Sequence, residues 1–203
     1  MGAPLIQRAT ASPKEFYYTA FRKEFASEVK CISGNVTSLT DSNYAKYVAA
    51  MPPGSIVHLQ HHGQYDKTHA ATNRIIYGDA LTAAQFAADN VITLLPKDRT
   101  FMLDLVTCFT AGSREQWDSG YHPKHIDETF AHELAVAMRD AGFKAGTVVR
   151  GYIGQSKLLS GGFGGFRVGA GAKCGVTDPS KSEEGWYVDF KLGTPITMTS
   201  PKL

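Results

Sequence analysis

An apolar run that stops at a cysteine, Phe101–Cys108 (FMLDLVTC), constrains this chain more than any other stretch. Short apolar runs of this kind are typical of strands that are buried on both faces of a mostly parallel sheet. Ligands and reactive groups collect at the carboxyl ends of such strands. We therefore expect Cys108 to lie at an edge of a sheet where chemistry is possible.

Length and composition are those of one domain. The chain has 203 residues, of which 43% are hydrophobic and 11% aromatic, enough for a sizeable core. No apolar run reaches about 18 residues, so we expect no membrane span, and the first residues lack the apolar core of a signal peptide. Three cysteines without a CxxC pair fit a reducing compartment. We expect Cys31 and Cys174 to be structural.

Helix-like and strand-like segments alternate, which predicts an α/β fold with a parallel core. The predicted helices are Lys14–Lys30, a helix from N-cap candidates Thr40–Asn43 to Ala50, a helix from the capping box at Thr82 to about Leu95, and His125–Ala141 with Gly142 as C-cap. The predicted strands are Val29–Ile32, Ser55–Gln60, Phe101–Cys108 and Ala145–Ile153. Gln64–Thr72 and Phe109–His122 are predicted loops.

The last part of the chain has a different character. Ser160–Gly165 is too rich in glycine for a helix, and the alternating runs Phe166–Val168 and Gly185–Leu192 predict an antiparallel hairpin or flap. Residues 143–203 carry eight Lys/Arg and four Asp/Glu, a net charge of +4, whereas residues 1–142 carry a net charge of −2. This basic excess fits a solvated surface and an anionic partner equally well.

Two predicted strands lead into reactive residues. Ser55–Gln60 runs into His62 and Gly63, and the second strand runs into Cys108. If these strands are parallel neighbours, an imidazole and a thiol emerge at one edge, which is the geometry that nucleophilic catalysis by cysteine needs. The backbone N–H groups of Gly63 and Cys108 are candidates for an oxyanion hole.

A metal site is the main chemical alternative, because histidines are dense in this part of the chain. The residues considered are His58, His61, His62, Asp66 and His69. His58 and His61 are three apart, so in a strand they face opposite sides, and no second pair of ligands follows. We therefore expect no metal, and we expect His61 to be a neighbour that points away from the site.

The order of these motifs resembles the caspase-like clan of cysteine peptidases. More narrowly, it resembles the autoprocessing cysteine protease domain of MARTX and large clostridial toxins and related secreted bacterial effectors. The residues that carry the resemblance are Val57–Gly63, Asn73-Arg74, Tyr77-Gly78, Leu81–Ala87, Leu103–Cys108, Phe130–Leu134 with Ala137, Met138 and Gly142, and Val148–Arg150. We accordingly expect a caspase-like core over residues 51–155, a helical extension over 1–50 packed on it, and a C-terminal β-flap over 156–203.

The resemblance implies that Cys108 is the nucleophile and His62 the general base or orienting group, with no obligatory acidic third member. It implies cleavage of a peptide bond after a small hydrophobic residue such as leucine. The substrate would be a host protein or the chain's own precursor, and no nucleic acid is expected. The protein would be a toxin or effector that a bacterium secretes without a cleaved signal peptide and that acts in the host cytosol.

The resemblance also implies activation by inositol hexakisphosphate, held by Lys and Arg side chains around the flap. Arg150 matches best, because it lies in the Val-Val-Arg strand, and Arg74 is a weaker candidate. The other candidates are Lys157, Arg167, Lys173, Lys181 and Lys191.

Two alternatives remain open at this point. The same thiolate could pass its acyl group to an amine, as in a ligase or transamidase. The chain could also be a module that binds inositol polyphosphate without catalysis, in which case neither Cys108 nor His62 would matter for its effect.

Overall fold

The strands of this protein form two sheets. A computed structural model describes residues 11–19, 21, 23–24, 36–66, 71–77, 79–118, 125–154 and 186–201. The strands in this part of the chain are β1 (Glu15–Thr19), β2 (Val36–Ser38), β3 (Ile56–Gln60), β4 (His62–Asp66), β5 (Ala71–Tyr77), β6 (Asp79–Leu81), β7 (Met102–Val106), β8 (Val148–Tyr152), β9 (Tyr187–Lys191) and β10 (Thr197–Thr199).

The larger sheet has seven strands in the order β10-β9-β8-β7-β3-β1-β2. The five strands from β8 to β2 are parallel to their neighbours. β9 pairs antiparallel with β8, and β10 pairs antiparallel with β9. The prediction of an α/β fold with a mostly parallel sheet is therefore confirmed.

The helices that the structure describes are short except for the last one. They are α1 (Tyr44–Ala49), α2 (Ala83–Phe86, continued by a π-helical turn over Ala87–Ile92), α3 (Arg114–Asp118) and α4 (Phe130–Asp140, after a 3-10 turn over Ile126–Glu128). The capping box predicted at Thr82 is present, with its side chain and that of Gln85 each bonded to the other's backbone. Gly142 ends α4 with a φ of 83°, a conformation that glycine adopts without strain.

One face of the large sheet is apolar and packs against the helices. Its strands contribute side chains such as Phe16, Leu59, Leu105, Val149 and Phe190 to a buried cluster that also contains Phe86, Phe130, Leu134 and Met138 from α2 and α4. Because side chains alternate along a strand, the residues between these point to the opposite face. That face carries polar side chains in the middle of the sheet.

The smaller sheet follows β3 directly. Its three strands are antiparallel, in the order β4-β5-β6. His62 opens β4 and Gly63 pairs with Ile75 of β5, with a register shift between Gln64 and Tyr65. The small sheet therefore carries one of the two predicted catalytic residues.

The prediction of a helix over Lys14–Lys30 is wrong at its start, where β1 lies. Phe16, Tyr17 and Tyr18 are each at most 2% exposed, so aromatic side chains cover both faces of this buried strand. Aromatic residues are enriched in strands because they pack well on a pleated surface. β1 and β2 belong to the main sheet, and this part of residues 1–50 is not a helical extension. The strand predicted at Val29–Ile32 lies outside the described residues.

The two predicted loops are wrong in part. β4 and β5 occupy most of Gln64–Thr72, and α3 lies within Phe109–His122. A polar sequence indicates exposure rather than a loop, because antiparallel pairing satisfies the backbone of a strand whose side chains face water.

The remaining elements agree with the sequence to within a few residues. The predicted strands Ser55–Gln60, Phe101–Cys108 and Ala145–Ile153 correspond to β3, β7 and β8. The predicted run Gly185–Leu192 corresponds to β9, whose antiparallel partner β10 was not predicted. Ser160–Gly165 and Phe166–Val168 lie outside the described residues. In the part of the chain that is described, no helix is long and apolar enough to cross a membrane.

Candidate functional site

β3 and β7 are parallel neighbours, and their carboxyl ends meet at one edge of the large sheet. The last pair in their register is Gln60 with Val106. His62 and Cys108 each follow that pair by two residues. The two predicted catalytic residues therefore leave the sheet at the same edge, which is the condition for them to meet.

Cys108 lies in a tight turn just after β7 and is half-buried. The next residue, Phe109, has a φ of 58°, in the left-handed region that a bulky side chain rarely adopts. The N–H of Phe109 donates to the carbonyl of Gly154 at 2.6 Å. Strained backbone held by surrounding bonds in this way is a frequent feature of active sites.

The Cys108 turn is fixed between β8 and α4. The N–H of Tyr152 donates to Oγ1 of Thr110 at 2.9 Å, and the N–H of Ala111 donates to the carbonyl of Tyr152 at 2.9 Å. From α4, the N–H of Ala131 donates to the carbonyl of Thr110 at 3.1 Å. α4 lies so close to β8 that a Cβ added at Gly151 would be 2.5 Å from that of Ala131. The scaffold therefore presents Cys108 in a defined orientation.

His62 is held by the short segment that follows β1. Its side chain is 50% exposed, and its Nε2 lies 2.5 Å from Oε2 of Glu24. The ring also packs against Phe21, with the centroids 5.1 Å apart. A carboxylate at this distance fixes the orientation and tautomer of an imidazole. With Nε2–H donated to Glu24, Nδ1 is the nitrogen that can accept a proton.

Gly63 and Cys108, the predicted oxyanion donors, belong to this same edge. Gly63 is the second residue of β4 and pairs with Ile75. Because glycine has no Cβ, a bound chain can approach the backbone closely at this point. The role of the two N–H groups stays a prediction.

An aromatic contact joins β4 to the Cys108 turn. The rings of Tyr65 and Phe109 lie with their centroids 4.7 Å apart and their planes tilted by 55°. Tyr65 is nevertheless 41% exposed. The strand that begins at His62 therefore lies against the residue that follows Cys108.

His61 turns away from this edge, into the helix-covered side of the sheet. It is 3% exposed, and the rings of Tyr18, Phe21 and Phe86 lie 5.9 to 6.4 Å from it. Burial, with a smaller contribution from the charge of His62, lowers the pKa of His61 to about 3. His61 is therefore neutral near pH 7, and its contacts are those of a packing residue.

A row of buried polar side chains crosses the sheet beneath the site. Nδ1 of His58 lies 2.6 Å from Oδ2 of Asp104, and its Nε2 lies 2.6 Å from Oε1 of Glu15. Burial alone would lower the pKa of His58, but the hydrogen bonds to Asp104 and Glu15 outweigh it and raise the pKa above 6.5. With a carboxylate on each ring nitrogen, His58 ties β1, β3 and β7 together, the three strands that lead into the site.

The polar row continues into β8 and β9. Nε and Nη2 of Arg150 donate to the carboxylate of Asp189 at 2.6 and 2.8 Å, and its Cζ lies 3.8 Å from the ring centroid of Tyr187. Burial opposes the charge of Arg150, but the hydrogen bond to Asp189 outweighs it and raises the pKa of Arg150 further above its ordinary value. An anion that bound Arg150 would have to share it with Asp189.

The pKa of Tyr152, beside this row, is raised well above 10.0, chiefly by burial and then by the charge of Asp104. Tyr152 therefore stays neutral, and its hydrogen bond to Asp104 is a further cause of that shift. Its hydroxyl extends the polar row to the end of β8, where the backbone of Tyr152 also holds the Cys108 turn.

The other predicted polyphosphate residues are scattered. Lys191 is exposed on β9, and it shares the face of Arg150 because Val148 pairs with Lys191 and Arg150 with Asp189. Arg74 is exposed on the small sheet, with Nη1 3.4 Å from the carbonyl of Ala80. Four candidates lie outside the described residues: Lys157, Arg167, Lys173 and Lys181.

Over the described ranges, no group of three or more His, Cys, Asp and Glu side chains is arranged to hold a metal ion. Of the ligands considered from the sequence, His58 is bonded to two carboxylates and His61 lies among aromatic rings. His69 lies outside those ranges.

Sequence reasoning missed Glu24 and Tyr65. Glu24 was hidden by the helix predicted from Lys14. Had β1 been recognised as a strand beside β3, the residues after it would have been candidates for the same edge. Asp104 is the signal in the sequence that could have indicated the buried pair with His58. A single carboxylate inside a buried apolar strand requires a buried partner.

Comparison with known proteins found no matching family model, no matching curated protein and no matching solved structure.

Proposed function

We propose that this chain is a cysteine endopeptidase of caspase-like fold, with Cys108 as nucleophile and His62 as its general base. The observation that carries the proposal is the in-register parallel pairing of β3 with β7. Each candidate residue follows the last pair, Gln60 with Val106, by two residues. A turn that is hydrogen-bonded on both sides and a carboxylate on the imidazole support the same chemistry.

The first half of the reaction forms an acyl-enzyme. Nδ1 of His62 takes the thiol proton, and the Sγ thiolate of Cys108 attacks the carbonyl carbon of the scissile peptide bond. The C–N bond then breaks, and the imidazolium returns its proton to the leaving amine. The products of this step are a free amine and a thioester on Cys108.

The second half regenerates the thiol. Neutral His62 takes a proton from water, the resulting hydroxide attacks the thioester carbonyl, and the C–S bond breaks. The proton that His62 holds returns to the sulfur, and the new carboxylic acid leaves. In both halves the negative charge on the carbonyl oxygen would be met by the N–H groups of Gly63 and Cys108.

Glu24 would orient the ring through these steps. Its carboxylate accepts from Nε2 of His62 at 2.5 Å and stabilises the imidazolium while the proton is held. The pair is half-exposed, so we assign Glu24 an auxiliary contribution rather than an essential one.

The substrate class rests on the resemblance to toxin-borne cysteine proteases. It is a peptide bond after a small hydrophobic residue such as leucine, in a host protein or in the chain's own precursor. On the same ground we propose a secreted bacterial effector that acts in the host cytosol. The large mostly parallel sheet with an antiparallel extension at β9 and β10 is compatible with this fold.

Activation by inositol hexakisphosphate is the regulatory part of the proposal. Arg150 and Lys191 share one face of β8 and β9, and the basic excess of residues 143–203 is compatible with an anionic ligand. Binding there would compete with Asp189 for the guanidinium of Arg150.

The test is cleavage of a peptide library with leucine fixed at one position, with and without inositol hexakisphosphate. Wild-type protein should cleave after leucine, and Cys108→Ala and His62→Ala should each lose the activity. Cys31→Ala and Cys174→Ala are matched controls that remove the other two thiols, and they should remain active. Full activity in Cys108→Ala would exclude the proposal.

Acyl transfer to an amine uses the same residues and remains the second candidate. Mass spectrometry of the products with and without an added amine distinguishes the two outcomes. A hydrolase gives the free acid in both cases, whereas a ligase gives the amide when the amine is present.

A further inference from the structure

Tyr65 and Phe109 connect the two halves of the candidate site. Tyr65 lies on β4, three residues after His62, and Phe109 directly follows Cys108. Their rings are 4.7 Å apart at the centroids, within the range of a favourable aromatic pair. The pair therefore spans from the strand of the histidine to the turn of the cysteine.

The backbone is irregular near both sides of this contact. The pairing of β4 with β5 shifts between Gln64 and Tyr65, where β5 carries one extra residue, Asn73. On the turn Phe109 has a φ of 58° and is held there by its bond to Gly154 at 2.6 Å. The strained backbone of Phe109, held in place by a hydrogen bond, points to a specific role for this contact.

The exposure of Tyr65 argues against a role in the core. It is 41% exposed, whereas Tyr17 and Tyr18 in the sheet are at most 1% exposed. Tyr47 on α1 is similarly exposed, at 43%, and touches Phe16 with the centroids 6.5 Å apart, which makes it a matched control.

We infer that Tyr65 is a positioning residue, which holds β4 against the Cys108 turn through Phe109 and so sets the placement of His62 relative to Cys108. The inference rests on the proposed function, since it concerns the same dyad. His62 is half-exposed, and the Glu24 carboxylate orients its ring, whereas the position of its backbone depends on where β4 lies. A displacement of about 1 Å between reacting groups lowers rates by about 100-fold.

The experiment compares Tyr65→Ala, Tyr65→Phe and Phe109→Ala with wild type and with Tyr47→Ala. For cleavage of a leucine-containing peptide, Tyr65→Ala should lower kcat by about 10- to 100-fold and leave KM within about two-fold. Tyr65→Phe keeps the ring and should retain at least about half of kcat. The double variant Tyr65→Ala/Phe109→Ala should lower kcat no more than either single variant does, because the same contact is lost in all three.

A second readout does not depend on peptide cleavage. The rate at which iodoacetamide alkylates Cys108, followed by mass spectrometry of the peptide that contains it, is measured against pH in wild type, His62→Ala and Tyr65→Ala. The Tyr65→Ala profile should move towards that of His62→Ala, while Tyr47→Ala should match wild type. Thermal melting of each variant checks that it is folded.

The outcomes distinguish the peptidase activity from the positioning role of Tyr65. If wild type cleaves no peptide, the proposed function fails, and the alkylation profiles still decide the role of Tyr65. If wild type is active and Tyr65→Ala keeps both its kcat and its alkylation profile, the positioning role is wrong. A rise in KM at unchanged kcat would also overturn it, since that result assigns Tyr65 to substrate contact.

Discussion

His58 and Asp104 lie opposite each other on β3 and β7, with Nδ1 and Oδ2 2.6 Å apart. Each precedes a candidate catalytic residue, His62 or Cys108, by four residues. The hydrogen bond therefore links the two strands that end in the site, just beneath it. Glu15, on the other side of His58, extends the link to β1.

Removal of His58 should destabilise the protein strongly. His58→Leu leaves Asp104, which is 1% exposed, without its cation, and breaking a buried ion pair costs about 3–5 kcal/mol. Urea denaturation measures the change in the free energy of unfolding. The control is His125→Gln, whose partner Glu128 is 3.4 Å away on the surface, and it should cost less than about 0.5 kcal/mol. A loss below about 1 kcal/mol for His58→Leu would contradict the assignment of a buried charged pair.

The His58–Asp104 pair should also make the stability of the protein fall as pH rises above neutrality. The pKa of His58 is raised above its ordinary value of 6.5 in the folded protein. Its contribution is therefore fully present below pH 6.5 and is lost as pH rises through the folded pKa. Thermal midpoints of wild type and His58→Gln, measured from about pH 6 to about pH 9, should converge as pH rises. A difference that stays constant or grows over this range would count against a protonated His58.

His61 should make stability depend on pH in the opposite direction to His58, with a loss at acidic pH. Its pKa is lowered to about 3 by burial, from an ordinary value of 6.5. The stability linked to neutral His61 is therefore fully present above pH 6.5 and is lost as pH falls towards 3. His61→Phe keeps an aromatic ring beside Phe86, so its thermal midpoint should fall less than that of wild type between about pH 7 and about pH 4. The control His132→Phe, on a partly exposed position of α4, should follow wild type.

Loss of the Glu24 carboxylate should affect rate more than stability. Glu24→Gln removes the charge beside His62, and we expect kcat to fall by about 2- to 5-fold, the rate equivalent of an exposed ion pair. The pair is exposed, with side chains 50% and 58% accessible, so the thermal midpoint should not change. Glu115→Gln, an exposed change on α3, is the control for rate. A Glu24→Gln variant with wild-type kcat and pH profile would show that the carboxylate does not orient the ring.

Inositol hexakisphosphate, if it binds at Arg150, should stabilise the folded protein. A ligand present at about 100 times its Kd raises the free energy of unfolding by about 2.7 kcal/mol. Arg150→Gln should reduce this shift, and Arg139→Gln, which removes a guanidinium paired with Asp140 on α4, should leave it unchanged. An unchanged midpoint of wild type at saturating ligand would remove inositol hexakisphosphate from the account.

The elements around the site could be predicted from sequence because their patterns are local. The apolar runs that became β3 and β7, and the capping box at Thr82, each contain their own signal. The adjacency of β3 and β7 was a condition of the predicted dyad, and their parallel pairing in the structure meets it.

The missed features depend on contacts between distant parts of the chain. The helix over Lys14–Lys30 was predicted from the spacing of Phe16, Ala20, Phe21 and Phe25. The strand is recognised only from the burial of Phe16, Tyr17 and Tyr18 on both faces of a sheet. The contact of Glu24 with His62 spans 38 residues, and that of Tyr65 with Phe109 joins two separate sheet edges. No local pattern encodes such contacts.

The most direct test of the central claim is covalent labelling by a peptide chloromethyl ketone that ends in leucine. Intact mass and peptide mapping should show one label on Cys108 in wild type, strongly slowed in His62→Ala and absent in Cys108→Ala. The label should form faster than with a matched peptide that ends in aspartate. A label spread over Cys31, Cys108 and Cys174, or one formed on Cys108 at the same rate without His62, would contradict a catalytic dyad at this edge of the sheet.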